Sequence, residues 1–131
     1  MTRRFCLMQN FPGRQPLELE RPQSLSYSFF NLEALMLLAR FGEQAGVDLW
    51  AFSTADGRSL KAAVRYIAPF ARSGEILAEG GYRDGGRGRI LPLLAEAARH
   101  GDDPSISDPL TKFSGAPSAG ERWRLWWTPA R

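Results

Sequence analysis

The stretch NLEALMLLARFGEQAG, residues 31–46, decides the fold. Leu32, Leu35, Met36 and Ala39 recur at the three- and four-residue spacing of one helical face, and Leu37, Leu38 and Phe41 widen the apolar surface beyond that stripe. The spacing predicts a helix from about Asn31 to Ala45, with Ser28 or Asn31 as its cap and Gly42 or Gly46 as its left-handed stop. A helix that is apolar around most of its circumference is expected to be covered on two sides. Only two other helices are evident in the pattern, so either the fold is loosely packed or much of that cover is expected to lie on sequence outside this chain.

Downstream, Asp56-Gly57 marks a turn and Ser59 caps a second helix of about Leu60 to Phe70. Leu60, Ala63, Val64 and Ile67 share its inner face, Lys61 and Arg65 fall outside, and Pro69 closes it. The run from Ser73 to Gly88, with Gly80-Gly81 and Gly85-Gly86, reads as a flexible loop. A third helix of about Ile90 to His100 has Pro92 in its first turn, where proline is tolerated, and buries Leu91, Leu94, Ala95 and Ala98 before Gly101 ends it. Upstream, Leu17-Glu18-Leu19-Glu20 alternates apolar and charged residues, which fits a short strand-like piece closed by Pro22. The tail, residues 102–131, is expected to be irregular. The pattern as a whole is all-α, with long loops between helices and no sheet.

Composition narrows the function classes. With 131 residues, 44% hydrophobic and 24% charged, the chain suits one small domain or part of a larger one. No apolar run approaches the length of a membrane span. The start, MTRRFCLMQN, is basic but lacks the apolar stretch of a signal peptide, so the chain as written is expected to stay in the cytoplasm. The lone Cys6 excludes an internal disulfide and a cysteine-rich metal site. The net charge of +3 rests on fifteen arginines against Lys61 and Lys112. Arginine's planar fork suits carboxylates and phosphates, which permits a polyanionic partner, acidic sugar or nucleic acid, and the spread of the charges does not choose between them.

Several motifs read structurally. The glycine-rich run at residues 80–86 lacks the preceding strand of a dinucleotide site. His100, the sole histidine, stands near a helix C-terminus, where an imidazolium favours the dipole. Trp123, Trp126 and Trp127 read as an apolar anchor for the tail, although aromatic faces also stack on sugars and bases.

The informative stretch is GRQPLELERPQSLSYSFFNLEALMLLARFGEQAGVDLW, residues 13–50, followed by DGRSL at residues 56–60. Gly13 to Arg21, Ser24 to Ser28, Phe30 to Leu35, Gly46 to Trp50 and Asp56 to Leu60 form five elements in fixed order. In these the chain resembles the alginate lyase family, the toroidal helical-barrel polysaccharide lyases, best over residues 13–71. The resemblance implies an (α/α) toroid of antiparallel helical hairpins, of which residues 1–131 would form a part. It implies β-eliminative cleavage of an acidic polysaccharide such as poly-mannuronate, without cofactor or metal, in the periplasm or outside the cell. It also implies two catalytic residues, Arg21 to neutralise the uronate carboxylate and Tyr27 to move the proton. The chemistry suits those residue types: the hydrogen at C5 is acidic enough only when fixed donors stabilise the charge growing on the carboxylate. A tyrosine beside a cation can then serve as base and acid. On the residues alone, Tyr27 is equally a half-buried aromatic leading into the helix, with Arg21 paired to Glu18 or Glu20.

The family's Asn-His pair, which lies upstream of this segment, has no counterpart, because Asn10 and Asn31 are not followed by histidine. The chain is therefore expected to be a truncated lyase domain of doubtful activity alone, one that associates with a missing half or with itself. The alternative is a non-catalytic helical module that binds acidic polysaccharide or a protein partner.

Overall fold

Helix α2, Ser24–Gln44, is the longest element of the computed structural model, which describes residues 13–22, 24–73 and 86–113. A short α1, Pro16–Leu19, precedes it; α3, Leu60–Ile67, α4, Phe70–Ser73, α5, Gly86–Ala98, and α6, Pro104–Phe113, follow. The described residues form helices and loops without a strand. Helix α2 packs on α1, α3 and α5, and α5 also contacts α3, α4 and α6, so these two long helices organise the domain.

The inner face of α2 is made by Leu25, Phe29, Leu32, Leu35, Met36 and Ala39, all buried, as the spacing from Leu32 onward requires. The helix starts seven residues before the sequence expectation. Ser28 and Asn31 consequently lie inside it as buried residues and do not cap it. Its end follows the expectation at Gly46, which has φ +77. The Gly46 N–H bonds the Glu43 carbonyl at 3.1 Å and the Val47 N–H bonds the Gly42 carbonyl at 2.8 Å, closing the last turn in a Schellman arrangement. The outer face is open, in line with the shortage of covering helices read from the sequence: Phe30, Leu37, Leu38 and Phe41 are exposed.

Helix α3 starts and buries its inner face as its sequence reads, but it ends at Ile67, ahead of Pro69, and Phe70 opens α4 instead of closing α3. Ser59 Oγ accepts the Ala62 N–H at 3.1 Å, and Leu60, Ala63, Val64 and Ile67 are buried. Three other expectations need correction. Leu17-Glu18-Leu19-Glu20 is no strand but a helical turn, because Pro16 presets the helical φ at its first position. Helix α5 begins at Gly86, inside the expected loop, and leaves Pro92 in its interior. Its buried residues are Ile90, Leu91, Leu93, Leu94 and Ala97 with Glu96, while Ala95 and Ala98 are only half-buried. The tail is helical over Pro104–Phe113, and Asp103 supplies the start. The Asp103 carbonyl accepts the N–H groups of Ile106 and Ser107 at 2.9 Å, and its Oδ1 accepts the Ser105 N–H at 3.0 Å. The rest of the expected loop, residues 74–85, lies outside the described residues, as do Cys6, Trp123, Trp126 and Trp127.

Two ion-pair contacts join α2 to α5 on either side of a groove of about 310 Å³, whose floor includes Met36, Leu37, Pro92 and Leu93. Arg89 binds both oxygens of Glu33, at 2.9 and 2.7 Å. The buried Glu96 lies 3.5 Å from Arg40 and 3.4 Å from Arg99. Next to Glu96, the His100 ring stacks on buried Trp50, with centroids 4.4 Å apart and planes 9° apart. Asp48 holds the backbone of Trp50 in place, its Oδ1 accepting the Trp50 main-chain N–H at 2.9 Å. His100 is thus a packing partner for the GVDLW segment, beyond its position near a helix end.

Gly13, at φ +93, lies against α3: a Cβ there would stand 2.2 Å from the Ala62 carbonyl oxygen. Gly46 has the same sign of φ and nothing within 4 Å. Gly46→Ala should therefore cost about 1 kcal/mol of unfolding free energy from backbone strain alone. Gly13→Ala should cost roughly 3 kcal/mol or more, since a backbone clash adds to the same strain. Urea denaturation of the two variants checks the difference, and equal losses would contradict the close approach.

Burial tends to raise the Asp103 carboxyl, but Ser105 and Arg65 together outweigh it and hold the group below its ordinary value of 3.8. Its charged form therefore stabilises the fold above that value, and the contribution disappears as the pH falls through the lowered pKa. Thermal melts between about pH 5 and pH 2 should lose stability less steeply in Asp103→Asn than in wild type.

Candidate active site

The turn between α1 and α2 brings Arg21 and Tyr27 together. Helix α1 ends at Leu19, and the Arg21 N–H bonds the Glu18 carbonyl at 3.2 Å, which keeps Arg21 wound close to α1. Pro22 then disfavours further helix at Arg21, and α2 sets out from Ser24 with Tyr27 in its first turn. The Arg21 guanidinium carbon lies 3.5 Å from the centroid of the Tyr27 ring. Its Nη1 is 3.4 Å from Glu18 Oε2, so the guanidinium face meets the ring while one edge meets a carboxylate. The arginine is half exposed and the tyrosine half-buried. A cation on an aromatic face at this distance is attractive, and its exposure keeps the energy to about 0.5–1 kcal/mol. The arrangement presents a permanent positive charge and a phenol side by side at the surface.

A buried amide holds the two helices that carry this pair. Gln15, immediately before α1, is fully buried. Its Nε2 donates to the Ser28 carbonyl at 3.2 Å, and its Oε1 accepts from Asn31 Nδ2 at 2.6 Å. Its own carbonyl accepts the Glu18 and Leu19 N–H groups at 3.0 and 2.9 Å, so one residue starts α1 and ties it to α2. Neither Gln15 nor Asn31 stood out as a partner in the sequence. The available signal was Asn31 among the apolar core positions of α2; the neighbours of Gln15, Arg14 and the exposed Leu17, gave none.

Among the described residues no group of three or more His, Cys, Asp or Glu is placed to hold a metal ion, and no helix is long and apolar enough to cross a membrane. His100 lies at the far end of the α2–α5 contact with Trp50, so it is no part of the Arg21–Tyr27 pair.

Residues 8–77, more than half of the chain, match the family model for alginate lyase. The chain belongs to the alginate lyase family. The fold agrees: it superposes on the crystal structure of an alginate lyase from Bacteroides ovatus with a TM-score of 0.79 over 92% of this chain, at 23% sequence identity. The chain spans 32% of the length of that lyase. None of the curated proteins matches the sequence. The family match contains Gly13, Gln15, Arg21, Tyr27, Ser28 and Asn31, so the buried amide and the stacked pair both lie within the part of the chain that defines membership.

Gln15→Ala should remove both amide bonds and take from the buried Asn31 amide its 2.6 Å acceptor, at a cost of about 1–3 kcal/mol. Chemical denaturation measures it. A loss below about 0.5 kcal/mol would mean that the network contributes little to the seating of α1 on α2.

Proposed function

We propose that the Arg21–Tyr27 pair serves eliminative cleavage of a uronate polysaccharide, with poly-mannuronate as the first substrate to try. The supporting observation is the stack itself: a guanidinium 3.5 Å from the tyrosine ring centroid, at the surface, inside the region that matches the alginate lyase family. Arg21 would hold the uronate carboxylate through two N–H groups and stabilise the negative charge that spreads onto it as C5 loses its hydrogen. Tyr27, as phenolate, would take the C5 proton. The electron pair of the broken C–H bond forms the C4–C5 double bond, the bond from C4 to the glycosidic oxygen breaks, and the tyrosine returns the proton to that oxygen. The products are a shorter chain and a chain ending in a 4,5-unsaturated uronate, with no water consumed.

The chain has no Asn-His pair and spans about a third of the solved lyase, so this reading gives it two of the groups the reaction uses and a low turnover by itself. The corresponding site of action is the periplasm or the cell exterior, where such polymers are met.

Purified protein mixed with poly-mannuronate should produce a slow rise in ultraviolet absorbance from the unsaturated product. Tyr27→Phe should reduce the rate by about 10²–10⁴-fold, the usual worth of a positioned acid–base group. Arg21→Ala should reduce it by about 10²–10³-fold. A rise that survives Tyr27→Phe would sink the assignment of that residue. Retained polymer binding with no product from wild type would favour the binding module instead.

A further inference from the structure

His100 stands between two carboxylates where α2, α5 and the loop after α2 meet. Its Nδ1 lies 3.5 Å from Glu43 Oε1 of α2, and its Nε2 lies 3.7 Å from Glu96 Oε1 of α5. Trp50 covers one flat face of the ring in parallel, at 4.4 Å. The His100 side chain is 20% exposed, Glu96 is buried, and Nε2 is shut off from solvent without a hydrogen bond.

A neutral imidazole carries one N–H and one lone pair, so it cannot satisfy this arrangement. Whichever tautomer is present, one ring nitrogen presents a lone pair toward a carboxylate oxygen, and a buried polar atom left unbonded is costly. A second proton removes the conflict. Both nitrogens then donate, each to a charged acceptor, and one ring ties α2 to α5. The added charge also lies on the face of an indole, which attracts a cation. It lies at the end of α5 as well, where the His100 N–H bonds the Ala97 carbonyl and the helix dipole favours positive charge.

The cations nearby act in the other direction. Arg40 of α2 and Arg99 lie 3.5 and 3.4 Å from the Glu96 carboxylate, and Lys61 of α3 comes near Gly101, its Nζ 3.3 Å from where a Cβ would stand. The groups that meet the ring nitrogens themselves, however, are the two carboxylates. The remaining acids at this end are turned elsewhere. Asp48 Oδ1 accepts the main-chain N–H groups of Trp50 and Ala51, and Asp103 is held by Arg65 and Ser105.

We propose that His100 is a proton-operated latch: its doubly protonated ring clamps the end of α2 and the loop at residues 46–50 onto α5, and loss of one proton loosens the clamp. The contribution is present at mildly acid pH and is lost as the pH rises through the ordinary histidine range. The inference does not rest on the lyase reading, and the test below contains no activity measurement.

His100 is the sole histidine, so nuclear magnetic resonance can follow its ring nitrogens in the full chain without ambiguity. Both should carry a proton at about pH 5.5. Urea denaturation of wild type beside His100→Phe, which keeps a flat ring on Trp50 and cannot titrate, isolates the effect, because the other titrating groups are common to both. Between about pH 8 and about pH 5.5 the unfolding equilibrium constant of wild type should fall roughly fivefold relative to that of the variant. His100→Gln, a smaller neutral replacement, should give a relative change of the same sign. With Glu43→Gln in both members of the comparison, the fall should shrink to about twofold, since one of the two acceptors has lost its charge. A difference that does not vary with pH, or that varies in the opposite sense, would overturn the latch. So would a ring with a single proton at about pH 5.5, or a pH dependence untouched by Glu43→Gln.

Discussion

The side-chain amide of Gln15 is the contact on which the site depends. It is fully buried, and both its donor and its acceptor are used, by the Ser28 carbonyl and by Asn31 Nδ2. A buried amide without partners costs more than the bond itself contributes, so this group fixes a geometry more than it adds net stability. If α1 slid by one residue along α2, both bonds would be lost. Arg21 is carried by α1 and Tyr27 by α2, and their stack at 3.5 Å exists only in the register that Gln15 accepts. Gly13 works in the same direction, since its missing side chain lets the entering chain lie against the backbone of α3 at Ala62.

At the other end of α2 the register is set by charge. Glu96 is buried on α5 and lies 3.5 Å from Arg40 of α2, while Arg89 of α5 grips Glu33 of α2 with two bonds. Ion pairs of this kind give little net free energy once desolvation is counted, yet removing one partner of a buried pair is costly. The apolar residues between them, Met36 and Leu93 among others, would tolerate several relative positions. The paired charges allow fewer. Trp50 closes this end by stacking on His100, which draws the loop after α2 onto the end of α5.

Much of this was legible in the sequence where one physical cause acted locally. The Ser59 cap, the inner face of α3 and the Gly46 stop each follow from a few adjacent residues, and each is found as read. Errors came where a pattern was short or a tertiary demand overrode it. Four alternating residues at 17–20 cannot distinguish strand from helix, and Pro16 decided for helix. Ser28 and Asn31 have capping chemistry, but the helix begins earlier, at Ser24; the Asn31 side chain bonds Gln15, and the Ser28 backbone carbonyl accepts from the same amide. The start of α6 was present as Asp103-Pro104 and was masked by a composition that suggested an irregular tail. Of the candidate site, the two residues are proposed through resemblance. Their direct contact was not legible in the sequence, because a stack across a proline turn depends on the angle between α1 and α2.

That stack bears on how the proposed reaction could begin. Without substrate, Arg21 is engaged twice: its flat face by the Tyr27 ring, and one edge nitrogen by Glu18 at 3.4 Å. An exposed pair three residues apart on a short helix contributes at most about 0.5 kcal/mol, so a uronate carboxylate offering two parallel bonds can displace Glu18 at little cost. The ring need not be displaced, because it uses the face of the guanidinium and the carboxylate uses the edge. Arginine is the one cationic side chain with separate surfaces for both tasks, and a lysine at position 21 would have to choose between them. The contact that looks like a resting structural pair is therefore compatible with substrate binding, and it keeps the phenol beside the charge while the carboxylate arrives.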